Sequence, residues 1–335
     1  MLKIEEHTSL LSYNTFGIDI KSRYLVKVKT QEELIAVLKQ FQNLPLRIIG
    51  SGSNVLFTKD FEGLTVVMGT TGISISSENK NQTLVEIQAG EVWHDVVLWA
   101  LKNNLGGIEN LALIPGCMGA APIQNIGAYG VELESVFHSC KTLDIENLTV
   151  HEYKKEQCQF GYRSSIFKTQ LKGKQMITSV KLILQKPPHQ LTLSYGALKE
   201  EMKQKSQTIQ SVAETVIAIR ESKLPDPKRI GNSGSFFKNP VVSVSHFNSI
   251  LKKHPNAPHF PFNAAFVKIP AAWLIETSGF KGYRDGDAGV HDKQALVLVN
   301  HGNAKGTELL QLSQKIQSKV ENLFNIRLEP EVNIL

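Results

Sequence analysis

Apolar residues return at helical spacing over residues 31–42, where Leu34, Ile35, Leu38 and Phe41 form one stripe, and this predicts an amphipathic helix. The apolar run 46–49 enters a turn of glycine and serine before a second apolar run, 55–57, which gives a helix, strand, loop, strand unit. Short strands are expected over 64–68, 73–75 and 84–88. Over 91–104, Val92, Val96, Leu98, Trp99 and Leu101 again follow a helical period, which Asn103-Asn104 and Gly106-Gly107 stop. Alternation about Glu146-Asn147 marks 137–153 as a β-hairpin, and alternation over 176–184 marks a half-buried strand. Lys186-Pro187-Pro188-His189 is the clearest break, because consecutive prolines neither continue a helix nor donate to a sheet ladder; a lobe boundary is placed there. Beyond it the pattern gives helices over 208–222, 271–277 and 306–324, a strand over 295–300 and an extended tail over 327–335. No internal repeat or low-complexity tract is found, so solenoids and arrays are excluded.

Composition narrows the class without choosing a function. With 335 residues, 41% of them hydrophobic and 20% charged, the chain can bury the cores of two or three lobes, and it is neither disordered, collagen-like nor disulfide-stapled. The 37 Lys and Arg against 31 Asp and Glu leave a formal charge of +6, which suits a phosphate-bearing small molecule better than nucleic acid, for which clustered basic residues are expected. Cys117, Cys140 and Cys158 are odd in number and far apart, with no Cys-x-x-Cys pair, and read as reduced, buried thiols. The longest apolar run, 96–101, falls far short of the roughly 20 residues of a membrane span. Glu5 and Glu6 stand where a signal peptide carries a basic end. A cytoplasmic protein without membrane insertion is expected, and nothing in the histidine spacing, His291 and His301 included, suggests a metal.

Two segments carry candidate chemistry. Gly50-Ser51-Gly52-Ser53-Asn54 follows a predicted strand, and its glycines let backbone N–H groups close around phosphate oxygens. It lacks the Walker lysine and the Gly-x-Gly-x-x-Gly spacing, and taken alone it is more often a plain β-turn. The second segment, 114–130, holds four glycines, three alanines and two prolines, a density that lets a flat ligand or a pyrophosphate approach the main chain. Tight packing of a tortuous loop against a sheet explains one such segment equally well. Two in one chain favour a nucleotide cofactor.

These loops are followed by Gly161-Tyr162-Arg163-Ser164-Ser165-Ile166-Phe167, Ser222-Lys223-Leu224-Pro225-Asp226-Pro227, Gly234-Ser235-Phe236-Phe237-Lys238-Asn239-Pro240 and Leu328-Glu329-Pro330-Glu331-Val332. In order and wording the set resembles the UDP-N-acetylenolpyruvoylglucosamine reductase family over nearly the whole chain. The stretch 191–197 around Tyr195 resembles the tyrosine-bearing segment of its longer subtype.

The resemblance implies an α+β fold: a two-lobed FAD-binding module, vanillyl-alcohol-oxidase/PCMH-like, plus a separate α+β substrate domain. Residues 1–69 with 325–335 form the first FAD lobe, 70–205 the second, and 217–324 the UDP-sugar domain. It implies non-covalent FAD and NADPH as co-substrate, the enolpyruvyl ether of a UDP-sugar being reduced to the lactyl ether in peptidoglycan precursor synthesis. Cofactor contacts are expected from Gly50, Ser51, Gly52, Ser53 and Asn54, and from Pro115, Gly116, Gly119, Ala120, Gln124, Asn125, Gly127, Ala128 and Tyr129.

Hydride arriving at the terminal enol carbon leaves negative charge on the inner carbon and its carboxylate, and Arg163 is expected to meet that charge. Ser235 stands where the family places its proton donor, and Glu331 where it places an assisting carboxylate. Lys223 and Asn239 correspond to diphosphate ligands, Tyr195 to a residue over the uridine end and Gln294 to a further polar contact; Arg220 could support the same site or serve solubility. Ser164 follows the Tyr-Arg pair where many members carry an acid. Two other readings stay open: another FAD-dependent oxidoreductase on the same scaffold, and a non-catalytic UDP-sugar or nucleotide-binding protein. No exposed apolar stripe is left over, so a monomer is expected.

Overall fold

The computed structural model describes residues 2–335, which divide into two compact units. The first comprises the segment ending at Thr8, Ser22–Ser51 and Glu62–Ser222; the second comprises Ser9–Lys21, Gly52–Phe61 and Lys223–Leu335.

In the first unit, helix Gln31–Gln40 begins at Thr30, whose hydroxyl accepts the Glu33 N–H at 3.2 Å, and ends where the Phe41 N–H closes on Val37 O. Its stripe of Leu34, Val37 and Leu38 packs with Val26, Val28, Leu64 and Val66 into one apolar cluster. Those residues come from a four-stranded sheet in the order Ile4–Ser9, Lys21–Val28, Phe61–Met68, Leu46–Ile49, the last two parallel with Leu46 opposite Leu64.

A second, antiparallel sheet has five strands in the order Val150–Lys154, Phe137–Asp144, Gln175–Gln185, Gln82–Gln88, Ile73–Glu78. Helix Trp93–Lys102 and helix Ile209–Lys223 contribute Trp93, Val96, Val97, Val212 and Val216 to the cluster it shares with Val85, Val180 and Leu182. The strand Gln175–Gln185 ends ahead of Pro187-Pro188, and this unit continues to Ser222.

The second unit is built on an antiparallel sheet in the order Gly231–Ser235, Val297–Asn300, Ala288–Val290, Arg284–Asp285. Helix Gly306–Phe324 packs on its middle strands and buries Leu309, Leu312, Ile316, Val320 and Phe324, a spacing of three and four residues. Asn14 closes the loop at 9–21, its Nδ2 donating to Leu10 O and Ile18 O while its Oδ1 accepts the Ile18 N–H. The C-terminal strand Asn333–Ile334 pairs in parallel with Val55–Leu56, so the expected extended tail becomes part of a two-stranded sheet.

The expected helices at 271–277 and 306–324 are found with those bounds. Elements beyond those expected include strands Ile4–Ser9 and Lys21–Val28, the strands Gly231–Ser235, Arg284–Asp285 and Ala288–Val290 of the second unit's sheet, and helices Gly196–Glu201 and Val244–Leu251. No helix among the described residues is long and apolar enough to cross a membrane.

Trp93 is 1% exposed and its indole N–H donates to Leu111 O at 2.8 Å. Trp93→Ala should lower unfolding free energy by about 3–5 kcal/mol, read by urea denaturation, because it opens a cavity and strands that carbonyl.

Candidate active site

The first unit brings its part of the two glycine-rich loops together. A Cβ on Gly50 would lie 2.1 Å from Cys117 Sγ, so only glycine lets this loop seat against that sulfur. Burial raises the Cys117 thiol pKa, outweighing the backbone N–H groups of Ala120, Ser51 and Gly119 that point to its sulfur. Cys117, read from the sequence as an unremarked buried thiol, is thus the contact between residues 50–51 and the loop at 116–120.

That loop is held from outside as well: the Trp93 N–H donates to Gly116 O at 3.0 Å, the Met118 N–H to Glu91 O at 2.8 Å and the Gly119 N–H to Ala89 O at 2.8 Å. Pro115 precedes this fixed turn and Ala120 ends its short 3-10 helix, Met118–Ala120. Gln124 Oε1 accepts from Lys168 Nζ at 3.2 Å. Asn125 is fully buried, and its side chain serves the protein itself: it donates to Glu132 Oε2 at 3.0 Å and accepts the Glu134 N–H at 3.0 Å. Gly127–Ala128 then pairs with Val131–Glu132 as a small hairpin whose bend holds Tyr129, at φ 49°, and Gly130.

Arg163 stands at the tip of a tight turn. The Gly161 N–H donates to Ser164 O at 3.1 Å, and the Ser164 N–H returns to Gly161 O at 3.0 Å. Arg163 Nη2 donates to Gly127 O at 2.7 Å, and its guanidinium lies 5.4 Å from the Tyr162 ring centre. The turn therefore ties Arg163 to the glycine-rich loop of the same unit.

Tyr195 is half exposed and meets Tyr129 edge to face, 6.1 Å between ring centres. Burial raises the Tyr129 hydroxyl pKa, opposed by the charge of Arg220. Burial likewise pulls the Arg220 guanidinium below its usual range, with Tyr129 opposing. Arg220 Nε is buried with no hydrogen-bond partner among the described residues. The same holds for Asn110 Oδ1, while Asn110 Nδ2 donates to Tyr129 O and Thr192 O at 2.9 and 2.8 Å. A buried donor and a buried acceptor are left over around Tyr129, where native proteins normally satisfy such groups.

In the second unit, strand Gly231–Ser235 carries a register shift after Asn232, with Gly234 at φ 70° and its N–H bonded to Asn232 Oδ1. The bulge turns Ser235 outward to solvent. The next two residues, Phe236 and Phe237, are buried with ring centres 5.0 Å apart and fix the strand behind Ser235. The Glu331 N–H donates to Phe236 O at 2.8 Å and the Lys238 N–H to Glu329 O at 2.9 Å, so Ser235 and Glu331 lie on neighbouring stretches of backbone.

Asn54 Nδ2 in turn donates to Glu331 O at 3.2 Å. The Gly52–Asn54 part of the first loop thus lies with this tail, and Ser53 between them is buried. A Cβ on Gly52, at φ 65°, would lie 1.9 Å from Tyr13 O. Lys223 ends its helix exposed. Asn239 Oδ1 accepts the Ala271 N–H at 2.8 Å, which orients its side-chain amide. Gln294 Oε1 takes the Leu296 N–H at 3.4 Å.

The donor set of the first unit suits a large, flat, anionic cofactor: glycine-lined backbone, an arginine Nε and an amide oxygen awaiting partners. The comparisons agree. Residues 22–149 match the FAD binding domain model, and residues 226–335 match the model described as UDP-N-acetylenolpyruvoylglucosamine reductase, C-terminal domain. The solved structure of UDP-N-acetylenolpyruvylglucosamine reductase from Thermus caldophilus covers 100% of this chain and 99% of its own, with a TM-score of 0.71 at 23% identity. That of p-cresol methylhydroxylase covers 96% and 84% with a TM-score of 0.50 at 11% identity. Fold and site together define an FAD-dependent oxidoreductase with a vanillyl-alcohol-oxidase/PCMH-like cofactor module.

Among curated proteins, UDP-N-acetylenolpyruvoylglucosamine reductase of Flavobacterium johnsoniae is 47% identical with 100% of both chains covered. Its Pseudomonas aeruginosa counterpart is 44% identical with 99% of both covered. The chain belongs to the UDP-N-acetylenolpyruvoylglucosamine reductase family.

Gly50→Ala should cost about 1–3 kcal/mol by overpacking against the Cys117 sulfur and lower the flavin carried per protein. Adding Cys117→Ala should recover most of both, since the Cys117 Cβ would stand 3.4 Å from the new methyl. Thermal melting and the flavin-to-protein absorbance ratio read the two effects.

Proposed function

We propose that the chain reduces UDP-N-acetylenolpyruvoylglucosamine to UDP-N-acetylmuramate with NADPH as co-substrate, a step of peptidoglycan precursor synthesis. The observation that carries this reading is the bond from the Glu331 N–H to the carbonyl of Phe236, the residue after Ser235, in a chain aligned end to end with reductases of that name. FAD is held without a covalent bond by Gly50, Ser51, Gly52, Ser53 and Asn54 and by the loop from Pro115 through Tyr129. When bound, it supplies two-electron hydride chemistry.

The protein's own groups handle charge and proton. Arg163 presents its fork of donors to the carboxylate and inner carbon as negative charge gathers there, and preorganised donors of this kind are worth several kcal/mol. Ser235 gives its hydroxyl proton to the inner carbon, and because a free serine is a weak acid, Glu331 beside its strand assists and restores that proton.

Lys223 and the NH2 of Asn239 bind the diphosphate; Tyr195 covers the uridine end, and the NH2 of Gln294 adds a polar contact. By ligand, residues 1–69 with 325–335 and residues 70–205 serve the cofactor and 217–324 the UDP-sugar, a division that cuts across the two compact units. A monomer working in the cytoplasm, where NADPH is supplied, and without nucleic-acid or membrane partners, fits this reading.

The test is anaerobic absorbance. NADPH should bleach the flavin band and the UDP-enolpyruvyl sugar should restore it. In Ser235→Ala the bleaching should persist while turnover falls about 10²–10⁴-fold; full turnover in that variant would remove Ser235 from the mechanism. Bleaching without return would leave a flavoenzyme with another substrate.

A further inference from the structure

We infer that Glu132 is the carboxylate that holds the Arg163 guanidinium in its working orientation, a positioning role that rests on the part given above to Arg163. Arginine has a long, rotamer-rich side chain, and an electrostatic catalyst is effective only when its donors are fixed before charge develops. The turn at 161–164 fixes the Arg163 backbone, at φ 54°, but not its guanidinium. One anchor is the bond from Nη2 to Gly127 O at 2.7 Å. The residue that follows, Ser164, brings no charge.

Gly127 shows where the second anchor lies. It pairs with Glu132 across the small hairpin, and a Cβ built on it would stand 2.8 Å from Glu132 Cγ and 3.1 Å from Arg163 Nη1. The carboxylate's stem and the guanidinium therefore converge on the space a methyl group would fill. A methyl group at 127 would crowd the Val131 carbonyl, at 3.0 Å, together with both side chains, so the position needs glycine.

Glu132 is itself held. Its Oε2 accepts Asn125 Nδ2 at 3.0 Å, and the same NH2 lies 3.4 Å from Gly161 O at the base of the arginine's turn. Asn125 is fully buried at φ 45° with its Oδ1 committed to the Glu134 N–H. The amide thus references the carboxylate to the backbone that carries Arg163. A charge so placed fixes the plane of the guanidinium, as a charge-assisted pair does better than a neutral one.

The test uses the FAD-loaded enzyme. Glu132→Gln keeps the shape and an oxygen for Asn125 but removes the charge. Its flavin content and melting temperature should match the parent, kcat for the UDP-sugar should fall about 10- to 100-fold, and exchange of the Arg163 Nε–H with water should quicken in NMR spectra. Ser164→Asp, added to Glu132→Gln, should return much of the lost kcat by supplying a carboxylate from the next residue. Parent-like kcat and Nε–H exchange in Glu132→Gln would overturn the inference, as would joint loss of flavin and stability with no rescue. Arg163→Ala separates the two levels: if it keeps full turnover, the role of Arg163 itself fails; if it is inactive while Glu132→Gln is normal, only the role of Glu132 does.

Discussion

The second unit depends on a short backbone knot. The Glu331 N–H reaches Phe236 O, and Asn54 Nδ2 reaches Glu331 O, so three segments distant in sequence meet at one residue. Each bond is worth only about 1 kcal/mol net. Their weight comes from position, because they gather the backbone next to Ser235, the tail at Glu331 and the end of the first glycine-rich loop. Buried Phe236 and Phe237 behind the knot, and the bulge at Gly234 before it, leave Ser235 facing solvent while the backbone around it is fully engaged.

The first unit follows a different logic, based on where side chains are missing. Gly50 makes room for a sulfur and Gly127 makes room for an acid and an arginine. The sequence marks these glycines as places where backbone comes close to something, and a ligand is the natural guess. The structure shows that at both positions the neighbour is first of all another part of the protein. A cofactor loop has to be rigid before it can be selective, and glycine provides the rigidity by allowing contacts that a methyl group would forbid.

How much was legible follows the same division. Amphipathic helices were readable because a stripe at three- and four-residue spacing has one meaning: helix 306–324 is found as expected, and 31–42 loses only its last two residues to a cap at Phe41. The helix expected over 91–104 starts two residues late because the Glu91 carbonyl takes the Met118 N–H, a contact no local pattern encodes. Lys21–Val28 and Ile4–Ser9 passed unnoticed because charged residues interrupt any clean alternation. The motif residues could be named from resemblance, whereas Cys117, Asn110 and Glu132 could not. Their importance lies in partners 67, 19 and 31 residues away, and spacing along the chain says nothing of those.

The parallel pairing of Val55–Leu56 with Asn333–Ile334 has a consequence for synthesis. Thr58 waits for a partner 277 residues downstream. At about 5–20 residues per second the ribosome takes roughly 15 to 55 s to deliver it. The first unit draws all its chain from the portion ending at Ser222 and can mature meanwhile, but segments 9–21 and 52–61, apolar Leu56 and Phe57 among them, remain without their sheet. Nascent chains of this architecture therefore carry an interval in which strand-forming sequence near their beginning still lacks its partner.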